Sequence, residues 1–138
     1  MSRILIMDEP VMGIFLKASL SQYLEGVSCE SVSTDSGLVN VFLGLNISLR
    51  YDLVISEPMH FMVGESKILY LSVLNRLRDN KIPVHFFSRE SKETLDDLFG
   101  DYDTSWCSYE GKDESLFGLS EYVGNLLNVR CKLPEIMV

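Results

Sequence analysis

Acidic and polar side chains follow several short apolar runs in this 138-residue sequence. Asp8 and Glu9 follow the first run, Glu57 follows another, and Ser88 and Arg89 follow a third. Carboxylates can hold a cation, and they can also pair two-pronged with a guanidinium group. If these runs are strands of one parallel sheet, their polar ends meet at one edge, where ligands bind in such sheets. The sequence therefore predicts a polar, mainly acidic site.

The elements that would position this site alternate along the chain. Apolar runs predict strands at Ile4–Met7, Val27–Ser33, Tyr51–Ser56, Ile82–Phe87 and Thr104–Ser108. Apolar residues at helical spacing predict helices at Pro10–Leu24, Asp35–Leu49, Glu65–Asp79, Lys92–Phe99 and Leu116–Leu127. Such alternation with short connections predicts an α/β fold, in which helices cover both faces of a parallel sheet. We expect one domain over residues 1–128, followed by a tail of residues 129–138 with no assigned element.

Composition excludes several classes of function. The formal net charge of −8 argues against a nucleic-acid partner, because phosphate contacts need clustered Lys and Arg. Three cysteines without a Cys-x-x-Cys pair predict no disulfide framework and favour the cytoplasm. No apolar stretch approaches the roughly 20 residues of a membrane span, and no phosphate-binding glycine loop or zinc-ligand spacing occurs. We expect a cytoplasmic protein with a protein partner or a cation as its ligand.

The order of these groups resembles the receiver domain of response regulators over about residues 3–128. In that family an acidic pair after the first strand helps to hold Mg²⁺, and an aspartate after the third accepts a phosphoryl group from a histidine kinase. A Ser or Thr after the fourth strand contacts the phosphoryl oxygens. A lysine after the fifth neutralises charge, and an aromatic residue three positions earlier is a rotameric switch. The resemblance implies a flavodoxin-like (βα)5 doubly wound fold with a five-stranded parallel sheet of order 2-1-3-4-5.

The resemblance assigns a role to each position of the site. The acidic pair is Asp8 and Glu9, the phosphoacceptor position is Glu57, the hydroxyl is Ser88, the lysine position is Tyr109, and the switch aromatic is Trp106. It also makes Asp8, Glu9 and Glu57 the candidate Mg²⁺ ligands. The alternative for the acidic pair is a purely structural role, as caps of the helix that begins at Pro10.

This sequence departs from the family pattern where phosphate chemistry takes place. Glu57 replaces the aspartate, and its extra methylene displaces the carboxylate, although phosphoryl transfer depends on close placement. Tyr109 replaces the lysine, and Lys112 comes three residues later. Arg89 follows Ser88, where the family usually has a small residue. We therefore hypothesise that Arg89 is an internal cation that replaces both the metal and the lysine.

These departures favour an atypical receiver domain that is not an enzyme and acts through protein–protein contact without conventional aspartyl phosphorylation. The family's output surface is built by the fourth helix, the fifth strand and the fifth helix. Here that surface would include Leu95, Trp106, Phe117 and Tyr122. The last two could instead pack against the tail. A sensor histidine kinase is a candidate partner.

Two other functions remain open. One is a receiver that binds Mg²⁺ and accepts phosphate on Glu57. The other is a flavodoxin-like enzyme or flavin carrier, which the acidic segment after the first strand disfavours because it would repel phosphate.

Overall fold

The structure is a computed structural model that describes residues 1–47, 50–112 and 116–132, without the side chains of residues 46, 47, 116 and 117. The strands are β1 (Ser2–Met7), β2 (Val27–Val32), β3 (Leu53–Ser56), β4 (Val84–Ser88) and β5 (Ser108–Gly111). The helices are α1 (Pro10–Tyr23), α2 (Asp35–Ile47), α3 (Pro58–Phe61), α4 (Ser66–Asp79), α5 (Lys92–Phe99) and α6 (Leu116–Leu127).

The five strands form one parallel sheet in the order β2-β1-β3-β4-β5. This confirms the predicted flavodoxin-like α/β class and its strand order. Because β1 and β3 are neighbours, Met7 lies opposite Ser56, and the residues that follow these two strands emerge side by side. The sheet thus brings Asp8 and Glu57 to one edge, as expected for the carboxyl ends of parallel strands.

Side chains alternate across the sheet and form a core on each face. Leu5 and Met7 of β1 pack on the side of α2, α4 and α5, whereas Ile4 and Ile6 pack on the side of α1 and α6. All four side chains are fully buried. Burial on both faces explains why the inner strands are continuous apolar runs in the sequence.

Two helices begin with the same pair of residues, an acid followed by proline. The Glu9 carboxylate accepts a hydrogen bond from the Met12 backbone N–H at 2.8 Å and caps α1, with Pro10 in the first turn. Glu57 precedes Pro58 in the same way at the start of α3. Proline suits this position because its missing N–H would have no partner inside the helix. α3 is a helix that the sequence pattern did not predict.

The fifth strand lies four residues later than predicted. It begins at Ser108 and not at Thr104, so Trp106 and Cys107 precede it in a turn. Both side chains are partly buried and pack against the core on the side of α5, which explains why they form an apolar run without being a strand. The strand itself consists of half-buried residues at the edge of the sheet.

The first residues of the predicted tail pack against the domain. Cys131 pairs with Leu24 in an antiparallel bridge, and the Glu25 N–H donates to the Arg130 carbonyl. Residues 133–138 of the tail and residues 48 and 49 of the predicted second helix lie outside the described residues. None of the described helices is long and apolar enough to span a membrane.

Candidate functional site

Three charged side chains meet beyond the carboxyl ends of β1, β3 and β5. The Lys112 ammonium lies 2.9 Å from Asp8 Oδ2 and 3.2 Å from Glu57 Oε1. The side chains of Asp8, Glu57 and Lys112 are only 2%, 10% and 7% exposed. One buried cation therefore lies between two buried carboxylates, and the three groups are called the ion cluster below.

Backbone hydrogen bonds fix the position of each member of the ion cluster. The Asp8 N–H donates to the Val32 carbonyl at 3.2 Å, which ties the end of β1 to β2. The Glu57 N–H donates to the Met7 carbonyl at 2.8 Å, which ties the end of β3 to β1. The Lys112 N–H donates to the Ser88 carbonyl at 2.7 Å, which ties the residue after β5 to the end of β4. Because these bonds hold the backbone at each strand end, the three side chains need little reorganisation to meet.

Burial of the Asp8 carboxylate carries an electrostatic cost. Burial raises the pKa of its carboxyl group above the ordinary aspartate value, although the Lys112 ammonium and the Glu9 backbone N–H act in the opposite direction. The charged Asp8 is therefore less favourable in the folded protein than in water. The Lys112 ammonium therefore offsets part of the cost of burying this carboxylate.

An open cleft of about 370 Å³ lies over the ion cluster. Its lining residues are Asp8, Glu9, Met12, Glu57, Met59, His60, Arg89 and Lys112. His60 forms part of the wall, and its Nε2 donates to the Ser33 carbonyl at 2.7 Å. Met12, Met59 and His60 were not predicted as site residues, although His60 has the place of the family's Met-Pro pair after the acceptor.

Ser88 and Tyr109 lie next to the cluster and bond to the loop that follows β4. The buried Ser88 hydroxyl accepts a hydrogen bond from the Glu90 N–H at 3.1 Å. The Tyr109 hydroxyl donates to the Glu90 carbonyl at 2.6 Å. Both contacts fix the backbone at Glu90, so this loop is held from two sides.

The sequence-based assignments of the lysine position and of the cation need correction. The side chain that reaches the acids is Lys112, whereas Tyr109 lies within β5 and bonds to the loop. Arg89 lies exposed on the lining of the cleft, and the cation between the carboxylates is Lys112. The cause is the later start of β5, since the residue that follows the strand is Lys112 and not Tyr109.

Trp106 does not lie where the switch aromatic was expected. It precedes β5, and its indole N–H donates to the Asp103 carbonyl at 3.1 Å. The aromatic residue three positions before Lys112 is Tyr109. The same shift that moved the lysine therefore moves the aromatic position to Tyr109.

The three predicted Mg²⁺ ligands, Asp8, Glu9 and Glu57, do not come together as a group of three in the described part of the chain. Among the residues that the structure describes, no group of three or more His, Cys, Asp or Glu side chains could hold a metal ion. Glu9 is exposed and caps α1, as the structural alternative predicted. The ammonium of Lys112 already lies against the other two acids, so the chemistry of this set suits an internal ion pair better than a metal.

Two residues expected on the partner surface point inward. Leu95 of α5 is buried at 2% exposure, and Tyr122 of α6 stacks on His85 while its hydroxyl donates to Ser108. Trp106 is partly buried, and the Phe117 side chain lies outside the described residues. An open cleft of about 400 Å³ lies beside α5, and its lining includes Lys92, Asp96, Thr104, Ser105 and Cys107.

Comparisons with known proteins identify the fold. Neither a protein-family model nor a curated protein matches the sequence. Among solved structures, a response regulator receiver protein from Sinorhizobium medicae is 15% identical with a TM-score of 0.64, over 92% of this chain and 94% of the other.

Two further structures give the same result. The chemotaxis protein CheY4 from Vibrio cholerae is 12% identical with a TM-score of 0.64, over 91% of this chain and 98% of the other. The receiver domain of the hybrid histidine kinase CckA is 16% identical with a TM-score of 0.58, over 91% of this chain and 99% of the other. The chain has the fold of response-regulator receiver domains.

Proposed function

We propose that this chain is an atypical receiver domain of two-component-type signal transduction. It acts through protein–protein contact, without catalysing a reaction and without conventional aspartyl phosphorylation. The observation that carries this proposal is the ion cluster, in which Lys112 lies 2.9 Å from Asp8 and 3.2 Å from Glu57. In the family that this chain resembles, the lysine neutralises the transferred phosphoryl group, whereas here it neutralises Asp8 and the glutamate that replaces the acceptor aspartate.

Glu57 supports this function by its length as well as its charge. Its extra methylene extends the carboxylate from the end of β3, so that Oε1 reaches Lys112 while Oε2 faces the Met59 N–H at 3.5 Å. The glutamate therefore extends part-way toward the place of a phosphoryl oxygen and draws the lysine to it. Attack on a phosphodonor would require this carboxylate to leave both contacts and align anew.

Tyr109 supports a domain held in one state. It has the place of the family's switch aromatic, three residues before Lys112, and its hydroxyl donates to the Glu90 carbonyl at 2.6 Å. A strong bond to the loop after β4 keeps this side chain turned inward. We propose that Glu57, Lys112 and Tyr109 together hold the α5–β5–α6 surface in a single binding-competent arrangement.

The partner proposed for that surface is another protein. A net charge of −8 disfavours nucleic acid, and the cleft beside α5 offers both charged and hydroxyl side chains to a protein surface. One similar structure is the receiver domain of a hybrid histidine kinase, which supports a sensor histidine kinase as the class of partner. The three free thiols fit the reducing cytoplasm as the compartment.

The test is incubation with a small phosphodonor and Mg²⁺, followed by measurement of the intact mass. We expect the protein to gain no phosphoryl group, because Lys112 holds the Glu57 carboxylate, which lies one methylene farther from the backbone than the family's aspartate. The matched variant is Glu57→Asp, whose shorter side chain restores the family's acceptor. A gain of one phosphoryl group by this variant would show that Glu57 alone blocks the reaction, whereas a stable adduct on Glu57 of the unaltered protein would overturn the proposal.

A further inference from the structure

A buried polar network lies beside β5, on the face of the sheet opposite Tyr109. Its centre is His85 of β4, which is 1% exposed and lies directly opposite Ser108 in the strand register. Its Nδ1 is 2.8 Å from the Ser108 hydroxyl, and its Nε2 is 3.0 Å from Glu110 Oε1. The ring therefore contacts two residues of the same strand.

The direction of the hydrogen bonds follows from the charge of the ring. Burial lowers the pKa of His85 to about 4, so the imidazole is neutral at pH 7 and has one donor and one acceptor. A carboxylate only accepts, so Nε2 donates to Glu110 and Nδ1 accepts from the Ser108 hydroxyl. The Ser108 oxygen accepts in turn from the Tyr122 hydroxyl at 2.9 Å. One ordered chain thus runs from α6 through β5 to β4 and back to β5.

The same four residues also pack against one another. The Tyr122 ring stacks on His85 with ring centroids 4.3 Å apart and planes 21° from parallel. Ser, His and Glu are the residue types of an acyl-transfer triad, but this imidazole lies beneath an aromatic ring and no substrate could reach it. The geometry therefore suits the positioning of elements and not catalysis.

The element that this network holds is the one that carries the lysine of the ion cluster. β5 lies at the edge of the sheet, has four residues and pairs with β4. Lys112 follows its last residue directly and is tied to Ser88 by its backbone N–H. A short strand paired on one side has few bonds of its own, so two side-chain bonds from one buried ring add much to its placement.

We infer that His85 is a positioning residue, which holds β5 through Ser108 and Glu110 and thereby keeps the Lys112 ammonium between Asp8 and Glu57. Through the Ser108–Tyr122 bond, the same residue links α6 to the ion cluster. The link to α6 rests on the proposed function, since it gives a partner on that surface a route to the cluster. The placement of Lys112 by His85 stands without it.

The test is the pKa of the Asp8 carboxyl group, measured by carbon-13 NMR titration. Lys112 lowers this pKa, so a lysine that is held less closely leaves it higher. We expect Lys112→Met to raise the pKa of Asp8, and we expect His85→Phe to raise it as well. Tyr122→Phe keeps the stacked ring but removes one hydrogen bond, and we expect a smaller rise. His85→Gln retains one donor and one acceptor, so it should raise the pKa of Asp8 less than His85→Phe does.

The matched control is Phe87→Leu. Phe87 is also on β4, is 1% exposed and faces the same side of the sheet, but it packs in the apolar core. We expect this variant to lose stability and to leave the pKa of Asp8 unchanged, because Phe87 lies opposite Glu110 in the register but the side-chain hydrogen bonds to Ser108 and Glu110 come from His85. If Phe87→Leu raised the pKa of Asp8 as much as His85→Phe, the effect would be general loosening and the inference would be wrong.

Two further results of the Asp8 titration would contradict the positioning role of His85. An unchanged pKa of Asp8 in folded His85→Phe contradicts the inference. If that variant does not fold, an unchanged pKa of Asp8 in Tyr122→Phe, which removes the bond to Ser108 without replacing it, contradicts the inference instead. A phosphoryl adduct on Glu57 would overturn the proposed function but leave the Asp8 titration intact, so the two failures are distinguishable.

Discussion

At the scale of single residues, the site contains more buried negative charges than buried positive ones. Two carboxylates face one ammonium, and all three side chains are at most 10% exposed. A buried ion pair gains little over a well-packed apolar core, but removal of one partner is costly because the other is left without compensation. Lys112 is therefore the member of the cluster whose loss matters most for stability.

We expect Lys112→Met to lower the free energy of unfolding by about 3 kcal/mol at pH 7, because it leaves Asp8 and Glu57 buried without a cation. Urea denaturation monitored by Trp106 fluorescence measures the effect. Arg89→Met is the control, since Arg89 lines the same cleft but is exposed, and its loss should change stability by less than about 0.5 kcal/mol. Equal losses in the two variants would mean that Arg89 shares the role of internal cation.

At the scale of elements, Glu9 belongs to the start of α1 more than to the ion cluster. Its carboxylate accepts from the Met12 N–H at 2.8 Å, in the manner of a helix cap. We expect Glu9→Ala to lower the free energy of unfolding by about 1 kcal/mol. Glu9→Gln should cost much less, because the amide oxygen still accepts the bond. Chemical denaturation of both variants checks this, and equal losses would show that the charge and not the cap is what matters.

The elements also show where sequence patterns carry information. The spacing of apolar residues predicted α1, α4, α5 and α6 to within about two residues, because each packs one face on the sheet. β5 was placed four residues early because its Ser-Tyr-Glu-Gly sequence lies half-buried at the edge, whereas Trp106 and Cys107 before it are apolar. That single shift moved the lysine position from Lys112 to Tyr109 and produced the Arg89 hypothesis.

At the scale of the whole molecule, alternation of strands and helices was sufficient to predict a parallel α/β sheet. The resemblance to receivers added the order β2-β1-β3-β4-β5, and the fold confirms both. Asp8 and Glu57 could be predicted as neighbours because both directly follow inner strands of this sheet. The His85 network could not be predicted from the sequence. A lone histidine in an apolar strand gives no sign that Ser108, Glu110 and Tyr122 will surround it.

The stability of the whole domain should depend on pH through His85. Burial lowers the pKa of this imidazole from 6.5 to about 4, so between these values the unfolded chain binds a proton that the folded protein does not. The free energy of unfolding should therefore fall by at most about 3 kcal/mol as the pH drops from about 6.5 to 4, because the Glu110 carboxylate 3.0 Å from Nε2 favours the protonated ring and offsets part of the cost of burial. Asp8 acts in the opposite direction, because its raised pKa favours the folded protein as the acid protonates.

Urea denaturation at several pH values between 4 and 7 measures this dependence. His85→Gln removes the imidazole, so its free energy of unfolding should change much less over the same range, even though the variant is less stable at pH 7. The comparison uses the slope with pH and not the stability itself, which separates the proton linkage from lost packing. Parallel slopes for the two proteins would show that His85 is not the group that destabilises the domain in acid.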